Sequence, residues 1–105
     1  MPRFLTFLLV GFIAACGPLA RNNVVLTTDD GTKKLTYDCS NLRPQVESNE
    51  QIQILIQAGV RAHHHALKRE RMVTARAIME AHLARDFRRL ESLVVEYYCA
   101  HRDEL

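Results

Sequence analysis

The fold is decided by residues 48–101, which read SNEQIQILIQAGVRAHHHALKRERMVTARAIMEAHLARDFRRLESLVVEYYCAH. This stretch has no proline and one glycine, Gly59, and it is rich in residues with high helix propensity. At its start, Ser48 precedes Gln51 by three residues, which is the spacing of a capping box that satisfies free backbone N–H groups at a helix start. The sequence therefore predicts a helical region that begins near residue 49.

The apolar residues of this region form two stripes on opposite sides of the helix. At 100° per residue, the first stripe lies within about 60° of Ile52, and the second is centred about 200° away. The first stripe contains Ile52, Leu55, Ile56, Gly59, His63, Ala66 and Leu67, and the second contains Met72, Met79, Leu83, Phe87, Leu90, Val94 and Tyr97. A break near residues 68–71 would let the two stripes face each other. We therefore expect a mainly α fold with helices over about 49–68 and 71–101, arranged as an antiparallel two-helix hairpin.

Residues 24–37 predict a β-hairpin that precedes the helices. Two runs rich in β-branched residues flank Asp30-Gly31, and glycine readily adopts the positive φ that tight hairpin turns require. A two-stranded hairpin is not stable alone, so it is expected to pack on the helices. Residues 24–105 then form a single small domain.

Cys39 and Cys99 are predicted to form a disulfide bond. In a hairpin that turns near residue 70, the longer second helix extends past the start of the first helix and brings Cys99 near the connection that contains Cys39. The bond would close a loop of about 61 residues and contribute about 4 kcal/mol on the chain-entropy model. In a dimer, the two cysteines could instead pair between chains.

Residues 1–15 predict a signal peptide. Arg3 precedes an apolar run of about a dozen residues, which is too short to span a hydrocarbon layer that needs about 20. The tetrad at residues 13–16, Ile-Ala-Ala-Cys, resembles the lipobox of bacterial lipoproteins. The resemblance implies cleavage before Cys16, acylation of its thiol, and attachment to a membrane through lipid and a tether of residues 16–23.

The same resemblance implies a location on the periplasmic side of a bacterial envelope. Gly17 stands where an aspartate would direct retention in the inner membrane, so the outer membrane is favoured. One alternative is a plain secretory signal cut near Cys16. A second alternative comes from residues 102–105, RDEL, which resemble an endoplasmic-reticulum retrieval signal and would suit a soluble secreted or lumenal protein.

Basic residues dominate the helical region between residues 61 and 89, with eight arginines and lysines against three acids. This surface could bind an anionic polymer or lipid head groups through four arginines. These are Arg76, Arg85, Arg88 and Arg89. Alternatively, these basic residues form a solvated helix face with partial ion pairing and bind no partner. We do not expect a nucleic acid partner.

The sequence contains no recognisable catalytic or metal-binding constellation. The consecutive histidines 63–65 fan over about 200° of a helix and cannot converge on one ion. The i, i+4 histidine pair with glutamate that marks helical zinc sites is also missing. We therefore predict a protein without enzymatic activity or cofactor. It would act as a binding or assembly subunit, for example as an accessory to a secretion, conjugation or exclusion system. Its partner would be an envelope protein or a second copy of the chain.

Overall fold

The computed structural model describes residues 22–105. The predicted signal peptide at residues 1–15, the lipidation site Cys16 and residues 16–21 of the tether lie outside the described residues. The chain order is strand β1 (Asn23–Thr27), strand β2 (Lys34–Asp38), and helices α1 (Asn49–Lys68), α2 (Met72–Leu83) and α3 (Phe87–Ala100). The mainly α fold class is therefore confirmed.

The two strands form the antiparallel hairpin that the sequence predicts. Val24 pairs with Tyr37 and Leu26 pairs with Leu35, and all four side chains are buried. Their neighbours in each strand point the other way, so one face of the sheet packs against the helices. At the tip, Gly31 has a φ of 75°, as the turn prediction requires.

The tip of the β-hairpin is stabilised by a single carboxylate. Asp30 accepts hydrogen bonds from the hydroxyl groups of Thr28 and Thr32 at 2.7 and 2.8 Å, and from the Thr32 backbone N–H at 3.0 Å. The Thr28 hydroxyl and these further donors lower the pKa of Asp30 to about 2. The turn is therefore held in one conformation by hydrogen bonds to a charged group.

Helix α1 begins with the predicted capping box. The Ser48 hydroxyl accepts from the Gln51 backbone N–H at 3.2 Å, and the Gln51 side chain accepts from the Ser48 backbone N–H at 3.0 Å. Two N–H groups that would otherwise lack partners at the helix start are thus satisfied reciprocally.

The break predicted near residues 68–71 is confirmed, and its turn contains no glycine. Glu70 adopts a left-handed conformation with a φ of 59°. The backbone N–H groups of Glu70 and Arg71 donate to the carbonyls of Leu67 and Ala66 at 3.0 and 2.8 Å. This pair of bonds is a Schellman motif, which ends a helix by satisfying its last carbonyls.

The prediction of one continuous second helix over 71–101 is wrong, because the same motif occurs again at the end of α2. Arg85 has a φ of 56°, and the N–H groups of Arg85 and Asp86 donate to the carbonyls of His82 and Ala81, both at 3.0 Å. The Asp86 carboxylate then caps α3 by accepting from the Arg89 N–H at 3.2 Å. The region therefore forms three helices.

The two left-handed residues give a stability prediction. A non-glycine residue in this conformation costs about 1–2 kcal/mol, whereas glycine adopts it freely but loses more entropy on folding. We expect Glu70→Gly to raise the free energy of unfolding by about 0.5–1 kcal/mol in urea titrations. The matched control is Lys68→Gly, within the last turn of α1, which should lower it by a similar amount. A destabilised Glu70→Gly variant would contradict this account of the turn.

The disulfide bond between Cys39 and Cys99 is confirmed, with the two Cα atoms 5.7 Å apart, but the route to it differs from the prediction. Helix α3 turns back a second time and runs in the same general direction as α1. Gly59 lies beside Leu90 and Val94, and His65, further along α1, bonds to Tyr97, further along α3. Residues 40–47 run back beside β2 to the start of α1, as the hydrogen bond from Gln45 to the Thr36 carbonyl shows. The bond therefore ties the open end of the sheet to the end of α3.

The core lies where the sheet and α2 each pack against α1 and α3. Large buried side chains come from the strands, from α1 and from α3, and include Leu26, Tyr37, Leu55, Leu90 and Val94. The contact faces of α1 and α2 are instead rich in alanine, and Ala58, Ala62, Ala66, Ala75 and Ala81 are buried. Small side chains at such positions allow two helices to approach closely.

Candidate binding surface

Helix α2 carries the three most exposed of the large apolar side chains in the described domain. Val73 is 85% exposed, Leu83 74% and Met72 54%, whereas Ile78, on the opposite side of the helix, is buried. At 100° per residue, Val73 and Leu83 each lie about 140° from Ile78, on either side of the outward direction. Leu83 was predicted to face the first helix, and that part of the stripe prediction is wrong. Met72, which was predicted to face the same way, lines a groove between α1 and α2 although it is 54% exposed.

The outward side of α2 also carries two opposite charges. We define the α2 outer face as Val73, Arg76, Glu80 and Leu83, which recur at spacings of three and four residues and therefore share one side of the helix. Arg76 and Glu80 are exposed, and neither forms a salt bridge with another residue of the described part of the chain. The face thus combines unburied apolar area with charges that have no ionic partner among residues 22–105.

An apolar groove lies beside the α2 outer face, between α1 and α2. Its volume is about 250 Å³, and its lining includes His63, Leu67, Met72 and Met79. The His63 Nδ1 atom is buried there without a hydrogen-bond partner in the described range. Arg76 and Glu80 of the α2 outer face also line this groove, so the charged part of the face and the apolar groove adjoin.

The four arginines predicted to bind an anionic partner come from α2, the turn after it and the start of α3. Arg76 lies in the middle of α2 and is exposed. Arg85 lies in the turn after α2 and stacks on Phe87, with its guanidinium carbon 5.4 Å from the ring centre. Arg88 and Arg89 lie in the first turn of α3 and are exposed. Binding of an anionic polymer or lipid by these residues stays a prediction.

A second concave site lies between α3 and residues 42–44, with a volume of about 230 Å³. At its side, the buried Glu91 carboxylate accepts from the Tyr37 hydroxyl at 2.5 Å and from the backbone N–H groups of Gln45 and Val46 at 2.8 and 3.2 Å. Burial and the neighbouring carboxylate raise the pKa of Tyr37, so its hydroxyl stays protonated and donates. The sequence analysis missed Glu91, although its position beside Leu90 places it on the inner side of α3.

The described part of the chain offers no assembly of metal ligands, since no group of three or more histidine, cysteine, aspartate or glutamate side chains comes together within it. His65 is instead used structurally, because its Nδ1 lies 2.6 Å from the Tyr97 hydroxyl.

The RDEL sequence at the C-terminus is partly bound to the helices. The Glu104 carboxylate accepts two hydrogen bonds from Arg71, at 3.0 and 3.1 Å, and lies 3.2 Å from His101 Nδ1. The Arg71 guanidinium, followed by His101, lowers the pKa of Glu104 to about 2. A receptor that binds these last four residues would first have to release Glu104 from Arg71.

Comparison with protein-family models, with curated proteins and with solved structures finds no match for this chain. Among the helices formed by residues 22–105, none combines the length and apolar character that a membrane crossing requires. The N-terminal sequence and the exposed surface of α2 are therefore the features from which a function can be inferred.

Proposed function

We propose that the protein is a small bacterial envelope lipoprotein, anchored through Cys16, whose folded domain acts as a binding or assembly subunit. An accessory role in a secretion, conjugation or exclusion system fits this description. The observation that carries the binding role is the α2 outer face, where Val73 and Leu83 remain 85% and 74% exposed. Exposed apolar area of this kind is a common feature of sites that contact another protein.

Two features of the described domain support the anchor. The chain has three cysteines, and the bond between Cys39 and Cys99 leaves Cys16 without a partner inside the chain. Disulfide bonds persist in oxidising compartments such as the periplasm, which is where a lipobox-type signal would deliver the protein. Acylation at Cys16 accounts for the odd cysteine, and two or three acyl chains would hold the domain firmly at a membrane.

The anchor is tested by growing cells that express the full chain with an alkyne fatty acid and measuring label on the protein. We expect labelling of the wild type and none of Cys16→Ser, with the variant released from the membrane fraction. Cys16→Ser should leave the disulfide bond intact, which non-reducing electrophoresis will show. An unlabelled wild type, or equal labelling of both proteins, would exclude a lipid anchor at Cys16 and favour plain secretion.

The binding role is tested by placing a photoreactive amino acid at Leu83 of the full chain in the envelope. We expect irradiation to produce a covalent adduct of higher mass. The matched control is the same amino acid at Lys34, an exposed position on β2, which should produce no such adduct. Equal adducts from both positions, or none from Leu83, would count against α2 as the binding surface.

A further inference from the structure

The four residues of the α2 outer face are arranged symmetrically about Ile78 in the sequence. Val73 and Leu83 lie five residues before and after Ile78, and Arg76 and Glu80 lie two residues before and after it. Each apolar residue is therefore matched by an apolar residue at the mirrored position, and the cation is matched by the anion. Ile78 itself is buried against α1 and α3, so the centre of this pattern faces inward and its four members face outward.

We infer that the α2 outer face binds a second copy of this chain, with the two α2 helices packed antiparallel about a two-fold axis near Ile78. In a two-fold interface every contact occurs twice: if residue i of one copy contacts residue j of the other, then residue j of the first copy contacts residue i of the second. Val73 then packs against Leu83 of the second copy, and Arg76 lies opposite Glu80 of the second copy. Both contacts occur twice, and each charge meets an opposite charge.

Charge complementarity favours this partner over an unrelated protein. Arg76 and Glu80 form no ion pair with another described residue, and an antiparallel copy supplies an opposite charge to both at once. A parallel arrangement would place Arg76 beside Arg76 and Glu80 beside Glu80, which is repulsive. Helix α2 is also accessible, because the sheet packs on α1 and α3 and leaves the outward side of α2 to solvent.

The inference rests on the proposed function in that it names the partner for the same surface. If the protein is also lipid-anchored, both copies share one membrane, and the resulting effective concentration strengthens a contact between two short helices. The pairing itself does not require the anchor.

A charge-swap experiment on the full chain tests the pairing. Sedimentation equilibrium should show a dimer for the wild type, and Arg76→Glu or Glu80→Arg alone should weaken dimerisation by at least about tenfold through like-charge contacts. The double variant Arg76→Glu, Glu80→Arg should restore dimerisation to within about threefold of the wild type, because the charges are exchanged on both copies. The control Lys34→Glu, an exposed charge reversal on β2, should leave dimerisation unchanged.

A crosslinking experiment tests the antiparallel register. One chain carries Val73→Cys, a second chain carries Leu83→Cys, and each has a different tag. When the two chains are expressed together, a short bis-maleimide should join them. Either variant expressed alone should crosslink far less, because identical positions lie about 15 Å apart along the axis in this arrangement. Efficient joining of Val73→Cys to itself would indicate a parallel pair and overturn the inference.

The outcomes separate this inference from the proposed function. A wild-type chain that stays monomeric, or single reversals without effect, would overturn the dimer while leaving fatty-acid labelling and the Leu83 adduct as independent tests of the envelope role. A dimer that responds to the charge swap in a chain without fatty-acid label would support the pairing and refute the anchor.

Discussion

Replacing both Cys39 and Cys99 by serine is expected to lower the free energy of unfolding by about 4 kcal/mol. The bond joins residues 60 apart in the sequence, so its removal frees a long loop in the unfolded chain, and the chain-entropy model assigns about this value to such a loop. Domains of this size have total stabilities of about 5–15 kcal/mol. The variant should therefore unfold at a much lower urea concentration than the oxidised wild type.

Urea titration of the oxidised wild type, the reduced wild type and the double serine variant measures this effect. The reduced wild type and the serine variant should agree closely, because neither closes the loop. Cys16→Ser is the matched control, since it removes a cysteine outside the loop and should leave the midpoint unchanged. A serine variant as stable as the oxidised wild type would show that the helices and the sheet hold together without the covalent link.

Replacing Glu91 by alanine is expected to lower the free energy of unfolding by about 3 kcal/mol. The carboxylate accepts from the Tyr37 hydroxyl and from the backbone N–H groups of Gln45 and Val46. All three donors lose their acceptor in the variant, and each unsatisfied buried donor costs about 1–3 kcal/mol. Removal of a buried charge offsets part of this loss.

The controls for Glu91 separate its hydrogen bonds from the general effect of removing a glutamate. Glu91→Gln keeps an acceptor oxygen and should retain part of the lost stability in the same urea titration. Glu96→Ala removes an exposed glutamate from the same helix, and it should change stability by less than about 0.5 kcal/mol. Equal losses from Glu91→Ala and Glu96→Ala would mean that the carboxylate does not stabilise the connection at residues 45–46.

Local signals in the sequence predicted those parts of the fold that depend on a few adjacent residues. Ser48 and Gln51 identified the start of α1, and Asp30-Gly31 identified the turn of the β-hairpin. Such features are determined by side chains that bond to the backbone within a few positions. The first helix break was predicted from the displaced apolar stripe rather than from its turn.

The second break could not be predicted in the same way. Arg85 ends α2 in a left-handed conformation that glycine normally supplies, and the neighbouring alanine and arginine residues have high helix propensity. Treating residues 71–101 as one helix then assigned Met72 and Leu83 to the inner stripe, because they match the phase of Leu90 and Val94. The interruption at residues 84–86 separates the two phases and leaves Leu83 facing outward, whereas Met72 borders the groove between α1 and α2.

The candidate site was only partly accessible from the sequence. Arg76 was singled out for its charge. That Arg76 and Glu80 lie between two exposed apolar residues, Val73 and Leu83, is visible only in the structure. Exposure depends on which other helices cover α2, and that is a property of the whole fold. Glu91 was missed for a similar reason, since the donors that it satisfies lie 45 or more positions away in the chain.

The bond between Cys39 and Cys99 also affects how the chain could travel. If the chain is exported as proposed, its thiols stay reduced in the cytosol, and it lacks the link between residues 60 apart in the sequence until it reaches an oxidising compartment. The chain would then be less stably folded before export than after it. Oxidation after passage would close this loop and disfavour the unfolded state that transport through a narrow pore requires.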